Sequence, residues 1–194
     1  MSERLILASA SPRRRLLLDQ VNLKPAQIIP AGVDETPMQG EMPRKLAIRL
    51  AFEKGFKVAA SFPDDFILAA DTVVACGRRI LDKVESPDAA SKHLRLLSGR
   101  RHQVYGGVAV VTPGGTFHTR LVTTQVTFKR LNSSEIEGYL ESGEWKGKAG
   151  AYAIQGIAGA FVKRMNGSCS NVVGLPLYET LALLRGSGFT RSQS

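Results

Sequence analysis

Cysteine is almost missing from this sequence: Cys76 and Cys169 are the only two. That number excludes a disulfide framework or a zinc site and reads as two buried or half-buried thiols in a reducing compartment. Long apolar runs are missing too, none approaching the roughly 20 residues that span a bilayer. The opening MSERLILASA superficially resembles a short signal peptide. Its apolar run is only about five residues, however, and leads at once into Pro12-Arg13-Arg14-Arg15, which suits neither secretion nor cleavage. The cytoplasm is the expected location. There is no internal repeat, no low-complexity tract and no linker rich in Gly, Ser or Pro. The chain also lacks a G-x-G-x-x-G turn and a Walker A loop, which removes the Rossmann and P-loop ways of holding a nucleotide. His93, His102 and His118 have no metal-ligand spacing. Acidic residues are in short supply, 17 against 26 Lys and Arg, for a formal charge of +9. An excess of that sign favours an anionic partner: DNA, RNA, a membrane surface or a phosphorylated small molecule. Charge alone does not choose among them.

What is present fits a soluble globular protein, with 43% hydrophobic and 22% charged residues in a chain of 194. That length suits one domain, or two closely packed lobes. We expect residues 1–185 to form it and residues 186–194 to be a flexible tail. Leu5-Ile6-Leu7-Ala8 reads as a short buried strand, followed by a helix that Ser11 caps and Pro12 opens, running to about Asp19. The longest helical pattern covers residues 42 to about 60, with Leu46, Leu50 and Phe52 or Glu53 at helical spacing and Arg49 placed to pair with Glu53. Residues 66–76 form an apolar strand that Gly77-Arg78 turns back into a second, ending at Lys83. Ser86-Pro87-Asp88 opens a helix that stops at Gly99. Residues 104–111 and 116–129 pair through the Pro113-Gly114-Gly115 turn, and Asn132 with Glu135 resembles a capping box. Residues 149–163 are small and β-like, Asn166-Gly167 marks a turn, and Leu177 to Leu184 is a final amphipathic helix. Strands and helices alternate but hairpins interrupt them, so the fold is α/β with a mixed rather than parallel sheet.

Two places break local rules. Ser9-Ala10-Ser11-Pro12-Arg13-Arg14 sets two hydroxyls and two guanidiniums at a helix N-terminus, where unpaired N–H groups and a partial positive charge already favour an anion. The alternative is a capped helix with solvated arginines, although cations in a first turn oppose the dipole. Asp71 lies within Phe66-Ile67-Leu68-Ala69-Ala70-Asp71-Thr72-Val73-Val74. A carboxylate there costs several kcal/mol unless paired, protonated or metal-bound, unless it merely sits at a strand end beside a turn. Glu35 lies in a loop. Lys54 shares the helix face of Leu46 and Leu50, and Lys83 closes the hairpin that begins with Asp71. Taken singly, these are solvated charges, and Gln155 a structural amide. Taken together, two carboxylates, two lysines and two arginines suit magnesium-assisted phosphoryl chemistry. They do not say which bond breaks.

The motifs resemble those of the Maf (septum formation inhibitor-like) family, in order, from Leu5 to about Arg185. Leu7-Ala8-Ser9-Ala10-Ser11-Pro12-Arg13-Arg14 is similar to the family's opening signature. Val33-Asp34-Glu35, Arg49-Leu50-Ala51 with Lys54, and Ala70-Asp71-Thr72-Val73 follow. So do Leu97-Ser98-Gly99-Arg100 with His102, Lys148-Ala149-Gly150-Ala151-Tyr152 with Ile154-Gln155-Gly156, and Val173-Gly174-Leu175-Pro176. Each is weak alone; all in order are specific. The resemblance implies a two-lobed α/β fold around a long mixed sheet, similar to that of inosine-triphosphatase-like proteins, with a cleft between the lobes and often a homodimer. It further implies hydrolysis between the α- and β-phosphates of a nucleoside triphosphate with a divalent cation, Mg²⁺ or Mn²⁺. Carried over by motif, Asp71 is the proton acceptor, Glu35 with Asp71 helps hold the metal, and Ser9, Arg14, Lys54 and Lys83 contact phosphates. Arg13, Thr72 and Gln155 match the branch acting on dTTP and UTP, where the branch for 7-methyl-GTP has tryptophan, glutamine and glutamate. The sequence departs from the family at Val84, where proline is usual, at Gly106, where threonine is common, and at Cys169, near a common tyrosine. Two other readings stand beside this one: a nucleotide- or nucleic-acid-binding regulator of cell division, and an enzyme clearing modified nucleotides. The resemblance gives no reason to expect a membrane or nucleic-acid partner.

Overall fold

A computed structural model describes residues 3–190. Along the chain come β1 (Leu5–Ala8), α1 (Pro12–Gln20), β2 (Gln27–Ile28), α2 (Pro43–Ala59), β3 (Phe66–Cys76), β4 (Arg79–Leu81) and α3 (Pro87–Leu97). They are followed by β5 (Arg101–Val111), β6 (Phe117–Phe128), α4 (Ser133–Ser142), β7 (Val162–Asn166), α5 (Cys169–Val173) and α6 (Leu177–Gly186). The seven strands form one mixed sheet in the order β2-β1-β3-β5-β6-β7, with β4 folded back onto β3. β1 runs parallel to β2 and β3, while β5, β6 and β7 are antiparallel to their neighbours. This is the expected mixed-sheet α/β class.

Local sequence sets the helix ends. Proline opens α1, α2 and α3, where its missing N–H would have had no partner. The expected capping box is formed, Asn132 accepting from the Glu135 N–H and the Glu135 side chain accepting from the Asn132 N–H, and Gly143 ends α4 at φ 70°.

Long strands carry two apolar cores, one at each end. Around β1, Leu68, Ala70, Val108 and Val110 pack beneath Leu17, Leu18 and Leu184, while Ile67, Ala69, Ala109 and Val111 pack with Ala51 and Val58 of α2. At the other end, Val74, Val104 and Val126 join Leu94, Leu97, Tyr139 and Trp145. Between these two ends β5 carries Gly106 and Gly107, and the absent Cβ atoms matter there. A Cβ on Gly107 would stand 2.0 Å from the Ala47 carbonyl oxygen of α2, and one on Gly106 would stand 1.8 Å from Asn171 Oδ1 of α5. The two glycines thus let elements on opposite faces touch the strand. Gly107→Ala is expected to lose about 1–3 kcal/mol of stability through overpacking, read by urea denaturation. An unchanged midpoint would mean that α2 does not rest on the strand.

Several expectations need correction. Residues 149–163 are not a strand: turns at Gly150 (φ 69°) and Ala151 (φ 60°) lead to a 3₁₀ helix, Ile157–Phe161, before β7 begins. Their small size serves close approach, since a Cβ on Gly150 would lie 2.8 Å from Val74 Cγ1. Phe52 is exposed rather than part of the buried α2 stripe, and Cys169 is exposed rather than buried. The sequence reading also left out β2 and α5. Of the segment 186–194, residues 186–190 are described. The Phe189 N–H donates to the Leu184 carbonyl at 2.9 Å and its ring packs edge-on against Phe66. Residues 191–194 lie outside the described residues. Among the described residues, no helix is long and apolar enough to cross a membrane.

Candidate active site

A gap in the sheet makes the site. β1 pairs with β3 as far as Ala8 opposite Ala69, and on the same side β4 begins at Leu81 opposite Val74. Between them the β3 edge is bare, and Asp71 and Thr72 lie in the opening. A cleft of about 530 Å³ fills this space. It is lined by Ser9, Arg13, Arg14, Glu35, Lys54, Asp71, Thr72, Lys83 and Gln155, so every residue singled out from the sequence reaches it.

One pole is a chain of ion pairs. Asp71 lies opposite Gly107 in the ladder and so shares the sheet face on which α2 packs. Lys54 falls on the buried face of α2 with Leu46 and Leu50. Its ammonium donates to Asp71 Oδ1 at 2.6 Å and to Glu35 Oε1 at 2.5 Å, and Lys83 donates to Glu35 Oε2 at 2.6 Å. The Lys54 and Asp71 side chains are 9% and 8% exposed, that of Glu35 39%. Asp71 is therefore a buried, paired carboxylate within the strand, not a strand-end residue bonded to a turn.

Burial pushes the Glu35 carboxyl upward, but hydrogen bonds from Lys54 and Lys83, together with their charges, bring it from 4.5 down to about 2. A depressed carboxyl contributes stability above its unfolded value and loses it as pH falls through the folded one. Stability should therefore decline between about pH 4.5 and pH 2. Glu35→Gln is expected to flatten that part of a stability-against-pH curve, measured by denaturant melts. Curves of identical shape would contradict this assignment.

The other pole surrounds Arg14, which is only 8% exposed. Its Nε donates to the Gly174 carbonyl at 2.9 Å, Nη1 to Ser9 Oγ at 3.0 Å and Nη2 to Thr72 Oγ1 at 3.3 Å. Desolvation lowers its pKa, with the Asp71 charge opposing. The reading of α1 as a capped helix with solvated arginines is thus overturned at Arg14. Ser11 occupies the N-cap position but its side chain makes no cap hydrogen bond, and no acid lies in the first turn. The amides at this end of α1 remain open to an anion. Arg13 is half-buried, its pKa lowered by desolvation, and makes no ion pair or side-chain hydrogen bond among the described residues.

Sequence reasoning missed three contributors. Gly174 supplies a carbonyl from a backbone at φ 142°, where glycine is favoured; its only signal was Gly174-Leu175-Pro176 before a helix. Tyr152 lines the cleft and its hydroxyl meets His102 Nε2 at 2.9 Å. Burial lowers the His102 imidazole to about 4 and raises the Tyr152 phenol. Lys148, the third, lines the cleft from the loop that follows Trp145. The departures at positions 84, 106 and 169 replace none of the charged groups. Val84 is buried and its carbonyl accepts from the Gly147 N–H at 3.1 Å. Asn171 fills the space beside Gly106, and Cys169 starts α5 at the surface.

The donor set favours one kind of metal. Among the described residues, no cluster of three or more His, Cys, Asp or Glu exists. The cleft offers two carboxylates, Glu35 and Asp71, joined through one ammonium. That fits a hard cation such as Mg²⁺, which takes one or two carboxylates and completes its shell with water and phosphate.

With this geometry in hand, comparison with known proteins is informative. The Maf-like protein family profile matches residues 4–187. A dTTP/UTP pyrophosphatase of Mesorhizobium japonicum is 56% identical, covering 99% of this chain and 95% of its own. One from Caulobacter vibrioides is 57% identical, covering 95% and 96%. Among solved structures, the Staphylococcus aureus Ham1 protein is 17% identical with a TM-score of 0.46, covering 65% and 72%, a likeness too distant to bear on the site. Profile and relatives span nearly the whole chain, and on that ground the chain belongs to the Maf-like family.

Proposed function

We propose that this protein hydrolyses dTTP and UTP between the α- and β-phosphates, releasing the nucleoside monophosphate and pyrophosphate. The observation that carries the reading is Asp71: a buried carboxylate on the bare β3 edge, held through Oδ1 by Lys54 and facing a cationic cleft. Its Oδ2 makes no hydrogen bond among the described residues and is the proton acceptor. A water placed there loses its proton to Asp71 and forms a bond to the α-phosphorus. The bond from that phosphorus to the bridging oxygen breaks, and the electron pair leaves with pyrophosphate. Lys83 and the amides of α1 bind phosphate oxygens, while Arg14 fixes Ser9 and Thr72 in place. Glu35 and Asp71 would hold Mg²⁺ or Mn²⁺, which when bound neutralises phosphate charge.

The substrate assignment draws on the relatives' names and on Arg13, Thr72 and Gln155 around the same cleft. Two half-buried or exposed free thiols suit work in the cytoplasm. A nucleic-acid-binding regulator has no use for a buried carboxylate paired to a buried lysine in a cleft of this size. Incubation with a nucleotide panel and Mg²⁺ or Mn²⁺, with products identified by chromatography, tests the reading. UTP and dTTP should yield monophosphate and pyrophosphate. Orthophosphate with a diphosphate would reject the reaction, preference for 7-methyl-GTP the branch, and faster turnover of a modified pyrimidine the choice of substrate.

A further inference from the structure

Lys148 is absorbed by none of the roles above. Five cationic side chains line the cleft, Arg13, Arg14, Lys54, Lys83 and Lys148, against only two carboxylates, Glu35 and Asp71. The carboxylates are already engaged, Asp71 by Lys54 and Glu35 by Lys54 and Lys83. Arg14 is spent on Ser9, Thr72 and Gly174. Arg13, Arg14 and Lys148 have no carboxylate partner among the described residues, and of these Arg14 alone is held by neutral side-chain and backbone acceptors within the cleft. Arg13 has no ion pair or side-chain hydrogen bond among the described residues, and Lys148 donates only to the Lys146 carbonyl, at 3.0 Å. Arg13 stands on α1 and Lys148 on the 147–155 loop, and both line the cleft. Desolvation, and after it the charge of Arg13, lowers the Lys148 ammonium from its ordinary value, against the smaller opposing charges of Glu144 and Glu85. Like charges held together in a partly dried cleft mark a place for an anion.

The loop that carries Lys148 is built to hold it. Ala149 forms a backbone bridge to Lys83, the Gly150 N–H donates to the Leu81 carbonyl at 2.9 Å, and the Gly147 N–H to Val84. The Ala151 N–H closes a turn onto the Lys148 carbonyl at 3.0 Å, with Ala151 itself at φ 60°. A non-glycine residue in the left-handed region is strained and persists where its surroundings enforce it. The stitching ties Lys148 to the hairpin that presents Lys83.

We infer that Lys148 is a substrate contact, binding the β,γ end of the triphosphate in the cleft that Arg13 also lines and taking up charge as pyrophosphate leaves. This rests on the pyrophosphatase reading, because only cleavage at the α-phosphorus gives a pyrophosphate leaving group. A lysine serving nothing but its own loop would not distinguish between the two products.

The test is calorimetric titration of inorganic pyrophosphate and, separately, of UMP into the wild type, Lys148→Met and Lys148→Arg in Mg²⁺ buffer. UTP hydrolysis and thermal melts are measured on the same samples, with Arg78→Ala as an exposed control. Lys148→Met should bind pyrophosphate at least about tenfold more weakly, the scale of one charge-assisted contact. Lys148→Arg should recover most of that loss, with UMP affinity and melting temperature little changed. Unchanged pyrophosphate affinity in a folded Lys148→Met overturns the inference, as does equal weakening of pyrophosphate and UMP. So does a wild type that hydrolyses UTP yet does not bind pyrophosphate. If Lys148→Met does not fold, Lys148→Gln replaces it: a folded variant that weakens pyrophosphate but not UMP supports the contact, and one with unchanged pyrophosphate affinity refutes it. A wild type that binds pyrophosphate through Lys148 but leaves every nucleotide intact refutes the pyrophosphatase reading and leaves the contact standing.

Discussion

Asp71→Asn is expected to lower kcat for UTP by at least about 10²-fold, the usual scale for loss of a general base, which corresponds to about 2.7 kcal/mol of barrier. The fold should survive. Asparagine is nearly isosteric, and its carbonyl oxygen still accepts from Lys54, which keeps Glu35 as its anionic partner at 2.5 Å. What disappears is the basicity of Oδ2. KM should change less than kcat, because a neutral amide removes negative charge from a cleft that binds an anion. Stopped assays of monophosphate release, paired with a urea melt, separate chemistry from folding. Near-normal turnover in a folded variant would move the proton acceptor elsewhere, with Glu35 next in line. Both Glu35 carboxylate oxygens already accept from lysines, whereas Asp71 is held through Oδ1 alone, which is why Asp71 is preferred.

The sequence made Asp71 and Lys54 legible for the same reason: each is a charge where periodicity demands an apolar residue. Such violations survive where function requires them. The gathering of hydroxyls and guanidiniums at the start of α1 was legible from composition, but the inward turn of Arg14 was not. That turn depends on the Gly174 carbonyl, 160 positions away, and no local pattern encodes it. Lys148 was obscured by the small residues 149–163 that follow it, which read as β-like. In the structure their smallness admits Val74 and Glu144 into close contact. Propensity registers size and branching without knowing which neighbour requires them. The two-residue β2 and the five-residue α5 are too short for any period to show. The cleft itself was invisible, because it is a gap between two strands that pair with the same edge of β3.

Lys54→Met should fail in two ways where Lys83→Ala fails in one. Lys54 is 9% exposed, and its ammonium holds Asp71 and Glu35 together. Methionine fills similar volume but leaves the buried Asp71 carboxylate without its cation. Breaking a buried pair from one side costs about 3–5 kcal/mol, so the denaturation midpoint should fall steeply and activity with it. Lys83 contacts Glu35 from a side chain that is 53% exposed, and a pair so solvated contributes about 0–1 kcal/mol to stability. Its removal should leave the melt nearly unchanged while reducing kcat/KM by roughly 10- to 150-fold, the value of one charge-assisted phosphate contact. Arg78, exposed on the turn between β3 and β4, should affect neither measurement when changed to alanine. The comparison also separates the enzyme from a nucleic-acid binder, whose losses would spread over many lysines and arginines with a steep salt slope for duplex binding. If Lys54→Met melts like the wild type, the carboxylate pair does not depend on that ammonium. If Lys83→Ala and Arg78→Ala reduce hydrolysis equally, the charge is not focused in the cleft and the proposed site is wrong.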